Sequence, residues 1–175
     1  MVRVTGLLLV LLYHFYKTIF PGGFVGVDVF FTFSGYLITA LLIDEYSKHR
    51  KIDLLGFYRR RFYRIVPPLV LMVLMVIPFT YLVRRDYVAN IGTQIAAALG
   101  FTTNFYEIMT GGNYESQFVP HLFLQTWSLA IEMHFYLIWG WLIWFLGRRR
   151  HSLAQFRSMI FGISGLFFLG SFLSM

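Results

Sequence analysis

Residues 126–150 read TWSLAIEMHFYLIWGWLIWFLGRRR. From Thr126 to Gly147 the run is apolar or aromatic apart from Thr126, Ser128, Glu132 and His134, and it holds Trp127, Trp139, Trp141 and Trp144. At a rise of 1.5 Å per residue, roughly 22 residues reach about 33 Å, enough to cross the hydrocarbon core of a bilayer. Tryptophan favours the membrane–water interface, and the closing Arg148-Arg149-Arg150 marks a cytoplasmic end. The stretch reads as a transmembrane helix, and the rest of the chain is read outward from it.

The composition agrees. Of 175 residues, 58% are hydrophobic, 20% aromatic and only 13% charged, with a mean hydropathy of +0.65. A soluble domain carries about 25% charged residues. A water-soluble globule of this make-up would leave apolar surface uncovered, so a soluble enzyme, a disordered tail and a disulfide scaffold are excluded. Cysteine is absent, which removes disulfides and thiolate metal sites, and no other metal-ligand spacing occurs. The net charge of +7 invites a nucleic-acid reading, but placement argues against it. Seven Lys and Arg fall between Asp44 and Arg64 and four between Arg148 and Arg157, at the ends of apolar runs. They read as topology signals and lipid-headgroup contacts.

Other spans follow from the same reading. Val4 to Phe20 is a first helix, retained because no small-x-small cleavage site follows it, and Pro21-Gly22-Gly23 stops it. Phe24 to Ile43 is a second span. Asp44 to Arg64, with Phe57, Tyr58, Phe62 and Tyr63, suits a separate helix lying at headgroup level. Ile65 to Val83 is a third span, opened by Pro67-Pro68 in a first helical turn, where proline costs little. Ile91 to Met109 is diluted by polar and small residues. Thr110 to Leu124 is a polar loop containing Gly111-Gly112, and Phe156 to Met175 is the last apolar segment. For both basic clusters to be cytoplasmic, one of the three spans between them must fail to cross, and Ile91 to Met109 is the weakest. The expected fold is all-α: a polytopic transmembrane helical bundle of about five to six membrane segments, one of them re-entrant. The N-terminus is placed inside.

Ionisable residues inside a membrane are expensive and usually functional. Arg3 and His14 are eleven residues apart, close to three helical turns, and share a face. Arg3 is expected at the cytoplasmic mouth and His14 about 16 Å deeper. Glu132 sits six residues into its span, His14 six residues before the end of its own, and Asp28 near the same level. A carboxylate beside an imidazole fixes its tautomer and raises its basicity, so Glu132 is expected to orient His14 as a general base. The plainer readings are a buried structural histidine, a structural Glu132 pair and a helix-capping Asp28. Arg61 and Arg64, within Arg59-Arg60-Arg61-Phe62-Tyr63-Arg64, are i,i+3 and share a face suited to phosphate; the plainer reading is a headgroup anchor. Gly22-Gly23 reads as a turn and Ser34-Gly35 as close helix packing. His121 and His134 are expected at the interface, and His49 and His151 in solvated basic loops.

Taken in order, these residues resemble a family. Arg3–x10–His14, Gly26-Val27-Asp28-Val29-Phe30-Phe31, Ser34-Gly35-Tyr36-Leu37-Ile38-Thr39, Arg60-Arg61-Phe62-Tyr63-Arg64-Ile65-Val66-Pro67 and Trp127-Ser128-Leu129-Ala130-Ile131-Glu132-Met133-His134-Phe135-Tyr136 are similar to the acyltransferase 3 family of bacterial membrane O-acyltransferases. The resemblance runs from Arg3 to Tyr136. It implies an acetyl-CoA donor on the cytoplasmic side and an extracytoplasmic carbohydrate acceptor, peptidoglycan first among them. It further implies catalytic His14 and Glu132, with Arg3, Arg61 and Arg64 as acyl-CoA contacts, supported by Asp28. Met133 and His134 stand where the family usually has a second Glu and a Gln, so the roles of those two do not carry over. Residues 1–175 are expected to be the N-terminal part of a membrane acyltransferase domain, with no soluble domain and with a C-terminal remainder or partner needed. The expected location is the bacterial cytoplasmic membrane. The competing classes are a flippase or transporter of a polar envelope precursor, which would show flux without CoA turnover, and a non-catalytic envelope or division subunit, indifferent to changes at His14 and Glu132.

Overall fold

The computed structural model describes residues 2–16, 18–83, 90–110, 122–149 and 152–173, with the side chains at 2, 3, 81 and 83 outside that description. Gly111-Gly112, His121 and His151 lie outside the described residues. Among those described there are seven α-helices and no strand: α1 (Val2–Phe15), α2 (Val25–His49), α3 (Leu54–Val83), α4 (Ile91–Leu99), α5 (Thr103–Thr110), α6 (Thr126–Arg148) and α7 (Leu153–Leu173). Four segments are long and apolar enough to cross a membrane: Pro21–His49, Leu54–Thr80, Thr126–Arg148 and Leu153–Leu173. Their outward faces are apolar, with Leu71 62% and Phe172 68% exposed. A water-soluble bundle would bury such side chains. The chain is a multi-pass membrane protein.

Three sequence expectations are corrected. The first helix ends at Phe15 rather than Phe20, so its 14 residues cover about 21 Å, short of a bilayer core. Phe20 precedes a proline, which disfavours helical backbone, and it sits at φ −123°, ψ 63° before a short 3₁₀ turn at Pro21–Phe24. The basic connector is not a separate interfacial helix. Residues 44–49 extend α2, Arg50 turns left-handed at φ 53°, and Leu54 already opens α3. Pro67-Pro68 consequently stand inside a 30-residue helix rather than at its start. Having no N–H, they leave the carbonyls of Tyr63 and Arg64 without their usual i+4 donors.

The weak segment folds as α4 and α5, of nine and eight residues, broken after Gly100, and neither helix is long enough to cross. Phe101 takes φ 55°, while Thr102 N–H donates to Ala97 O at 2.8 Å and Phe101 N–H to Ala98 O at 3.3 Å. This is a Schellman ending with phenylalanine at the left-handed position that usually takes glycine.

The chain divides into two compact units, residues 1–54 with 139–175 and residues 55–138. In the first, α1 runs antiparallel to α2 in close contact. A Cβ on Gly26 would lie 2.5 Å from Gly6 O and 2.9 Å from Val10 Cγ2, and one on Gly23 would lie 2.7 Å from Tyr13 Cβ. Glycine is required where backbones approach this closely. Gly23 is therefore a packing residue, while a Cβ on Gly22 would meet nothing within 4 Å. Along α2, Ser34, Ile38, Leu42 and Tyr46 recur every four residues and are all buried, one ridge of an α-helix. Tyr46 stacks on Phe156 of α7 at 3.9 Å between centroids. Trp139 Nε1–H donates to Thr39 Oγ1 at 2.8 Å, and that hydroxyl donates to Gly35 O at 2.8 Å. At the same end, a Cβ on Gly147 would lie 3.2 Å from Ile52 Cδ1 and 3.5 Å from the Tyr46 ring. The basic α2–α3 turn and the basic end of α6 are thus side by side.

In the second unit, α3 contributes Leu69 and Val73 to a core with Ala98 of α4 and Phe123. The buried Gln94 side chain accepts from Leu122 N–H at 2.9 Å. Thr126 Oγ1 donates to Phe123 O at 2.7 Å, so the 2.8 Å contact between Thr103 Oγ1 and Thr126 Oγ1 is donated by Thr103. Tyr58 Oη of α3 donates to Leu137 O of α6 at 2.8 Å.

Candidate active site

Within the second unit three polar side chains meet. Glu132, 7% exposed, lies in α6 with Tyr136 one turn later, and the Tyr136 hydroxyl donates to Glu132 Oε1. The i,i+4 spacing of a helix makes this contact local. From α3, the Arg61 guanidinium lies 5.6 Å from the centroid of the Tyr136 ring and 5.5 Å from that of Phe57. Cation and carboxylate thus address the same phenol, one at its face and one at its hydroxyl. A buried charge without compensation costs several kcal/mol, and a cation over an aromatic face gains about 0.5–2 kcal/mol.

Arg61 and Arg64 do not act as one surface. Arg61 is 8% exposed, whereas Arg64 faces outward. Three residues turn a helix by about 300°, enough for one side chain to meet α6 and the other to miss it.

Two features of this unit escaped the sequence reading. Glu107 is buried in α5, one turn after Thr103 on the face that meets α6 through the Thr103–Thr126 hydrogen bond. Its signal was the one available for Glu132, an acid in an apolar stretch, but it fell in the segment read as weakest. Tyr136 was quoted only as part of a motif, because an intramembrane tyrosine is common. His134 is half-buried, its ring 5.6 Å from Phe105 of α5.

In the first unit, His14 is the penultimate residue of α1 and is exposed. Its Nδ1 lies 2.8 Å from Val10 O. A carbonyl only accepts, so Nδ1 carries a proton. The Tyr13 ring stands edge-on to the imidazole at 5.7 Å. Asp28 is exposed in the first turn of α2; Phe24 is the residue at the cap, so Asp28 does not cap the helix but favours its positive end.

The α1–α2 register moves Arg3 away from its expected place beside the basic turn. Gly6 packs opposite Gly26 and Val29, so Arg3, one turn earlier, lies level with about Phe31, in the first third of α2. Its backbone is about 25–30 Å short of the basic turn at Arg50, counting residues along α2. His14 lies at the opposite end of the hairpin from that turn, close to Pro21-Gly22. Arg3 is therefore not at the basic mouth. Of the expected site residues, Arg3, His14 and Asp28 belong to the first unit and Arg61, Arg64 and Glu132 to the second.

A family model described as an acyltransferase domain matches residues 1–174. The O-acetyltransferase OatA of Staphylococcus aureus strain NCTC 8325 / PS 47 is 39% identical over 140 residues, which is 80% of this chain and 23% of that protein. OatA of strain COL gives the same values. The chain thus spans about a quarter of the length of these curated relatives. No solved structure matches it.

Proposed function

This chain belongs to the acyltransferase-domain family, and on that footing we propose that it forms part of a membrane O-acetyltransferase. The acetyl group comes from acetyl-CoA on the side of the two basic turns and goes to a carbohydrate hydroxyl of the cell envelope, peptidoglycan, on the other. The membrane is the bacterial cytoplasmic membrane, with the basic turns inside by the positive-inside rule and the N-terminal end of α1 pointing toward that side.

The observation that carries this reading is the state of His14. Its Nδ1 is committed to Val10 O, so Nε2 is the one ring position able to take a proton, and the residue lies at the hairpin end away from the basic turns. There Nε2 accepts the proton of the acceptor hydroxyl as its oxygen attacks the thioester carbonyl. The carbon–sulfur bond breaks, and the CoA thiolate leaves with the proton that His14 returns. Glu132 is the second ionisable group on which turnover depends. Arg64, exposed with Arg60 one turn before it, contacts donor phosphates. Peptidoglycan as acceptor follows the family resemblance alone.

In the full-length protein, His14→Ala is expected to lower acetyl content of purified wall polymer by about a hundredfold or more while leaving the folded protein in the membrane, a general base being worth about 10²–10⁴. His14→Gln tests the same role without removing side-chain bulk. Undiminished acetylation in both variants would refute the base assignment. Export of an envelope precursor without CoA release would favour a transporter instead.

A further inference from the structure

The two arginines of Arg61-x-x-Arg64 face different surroundings, and the difference bears on what each one does. Arg64 is exposed. Arg61 is 8% exposed, and its guanidinium lies near the rings of Phe57 and Tyr136. Of the two, Arg64 is the one a phosphate can reach without displacing packed rings. Arg61 instead lies against α6, beside the phenol whose hydroxyl is given to Glu132. Tyr58 pins α3 to α6 at the neighbouring position, through its 2.8 Å hydrogen bond to Leu137 O.

We infer that Arg61 and Tyr136 are positioning residues for Glu132, and that Arg64 without Arg61 meets the acyl donor. The guanidinium over the ring draws electron density from the phenol and strengthens its hydroxyl as a donor. The donated hydrogen bond fixes the Glu132 side chain in one rotamer and satisfies one of its oxygens in an apolar helix. The three side chains form one buried polar unit, a cation over a phenol whose hydroxyl is given to a carboxylate. A lysine at position 61 keeps the charge but loses the flat group that stacks on the rings. A phenylalanine at position 136 keeps the ring under Arg61 and loses only the hydroxyl. The inference rests on the acetyltransferase reading for its kinetic test and on packing alone for its second test.

The kinetic test uses the full-length protein in detergent or proteoliposomes, with acetyl-CoA as donor. Tyr136→Phe and Arg61→Lys are each expected to lower kcat about tenfold with KM for acetyl-CoA within about twofold, while Arg64→Ala raises that KM about tenfold with kcat nearly unchanged. Tyr136→Phe added to Glu132→Gln is expected to cost no more than Glu132→Gln alone, because residues acting as one unit are not additive. A KM effect at Arg61 equal to that at Arg64, or independent losses at Tyr136 and Glu132, would overturn the inference. An unaltered protein that transfers no acetyl group from acetyl-CoA refutes the acetyltransferase reading and leaves the packing claim to a second measurement. Thermal unfolding of Arg61→Lys, Glu132→Gln and the double variant is expected to show coupled losses; strict additivity would overturn the positioning role.

Discussion

Glu132 is legible in the sequence because a carboxylate in a run of tryptophans, leucines and isoleucines cannot be there for solubility. Its partners are not. Tyr136 is one turn away on the same helix, so the pairing was available in principle, but Arg61 reaches the ring from α3 across 75 positions of chain, and spacing does not encode that. His14 has a local partner as well, the Val10 carbonyl four residues back. Glycines show the same limit. Gly22 and Gly23 are neighbours, yet a Cβ would fit at the first and collide with Leu9 O and Tyr13 at the second. Gly26→Ala, which also places a Cβ against Gly6 O, is expected to destabilise the α1–α2 hairpin by about 1–3 kcal/mol, and Gly22→Ala by much less. Thermal midpoints of the two variants in the same detergent check this; equal midpoints would contradict the close approach.

Elements were read correctly where apolar length dominates and wrongly where it stops. The second span, the third, the Trp-rich helix and the last one each have a helix in place. The errors fall at ends. Hydropathy counts Tyr16, Ile19 and Phe20 as membrane residues, but Pro21 governs the backbone before it. Hydropathy likewise ends a span at Asp44, although α2 continues five residues further to His49, because Lys, Glu and Tyr are adequate helix formers whatever solvates them. Helix α7 begins with a reciprocal cap: Gln155 N–H donates to Ser152 Oγ at 3.2 Å, and Ser152 N–H to Gln155 Oε1 at 3.1 Å. This is a capping box at a headgroup-level turn. Ser152→Ala is expected to cost about 1 kcal/mol and to speed amide exchange in the first turn of α7. Exchange unchanged in that turn would mean that the cap does not hold it.

At the scale of the whole molecule, the testable statement concerns sidedness. Tyr46 stacked on Phe156, with Gly147 beside Ile52, places the α2–α3 turn and the end of α6 together, so Lys51 and Arg149 belong to one side of the membrane. The chain has no cysteine, so single Lys51→Cys and Arg149→Cys variants report without background. Both are expected to react with an impermeant thiol reagent from the same face of sealed vesicles, and labelling from opposite faces would break the topology.

Membrane residence, helical class, the weakness of the middle segment and the singling out of His14 and Glu132 all follow from local chemistry: apolar length, charge at helix ends, and the cost of ionisable groups in lipid. These are properties of windows of about twenty residues, which a linear reading contains. The register that removes Arg3 from the basic end, the separate fates of Arg61 and Arg64, and the burial of Glu107 depend on which face of one helix meets another. That choice is made by close contacts between residues far apart in the chain, here glycines in α1 and α2 and a guanidinium against a tyrosine ring, and it exists only once the helices have packed.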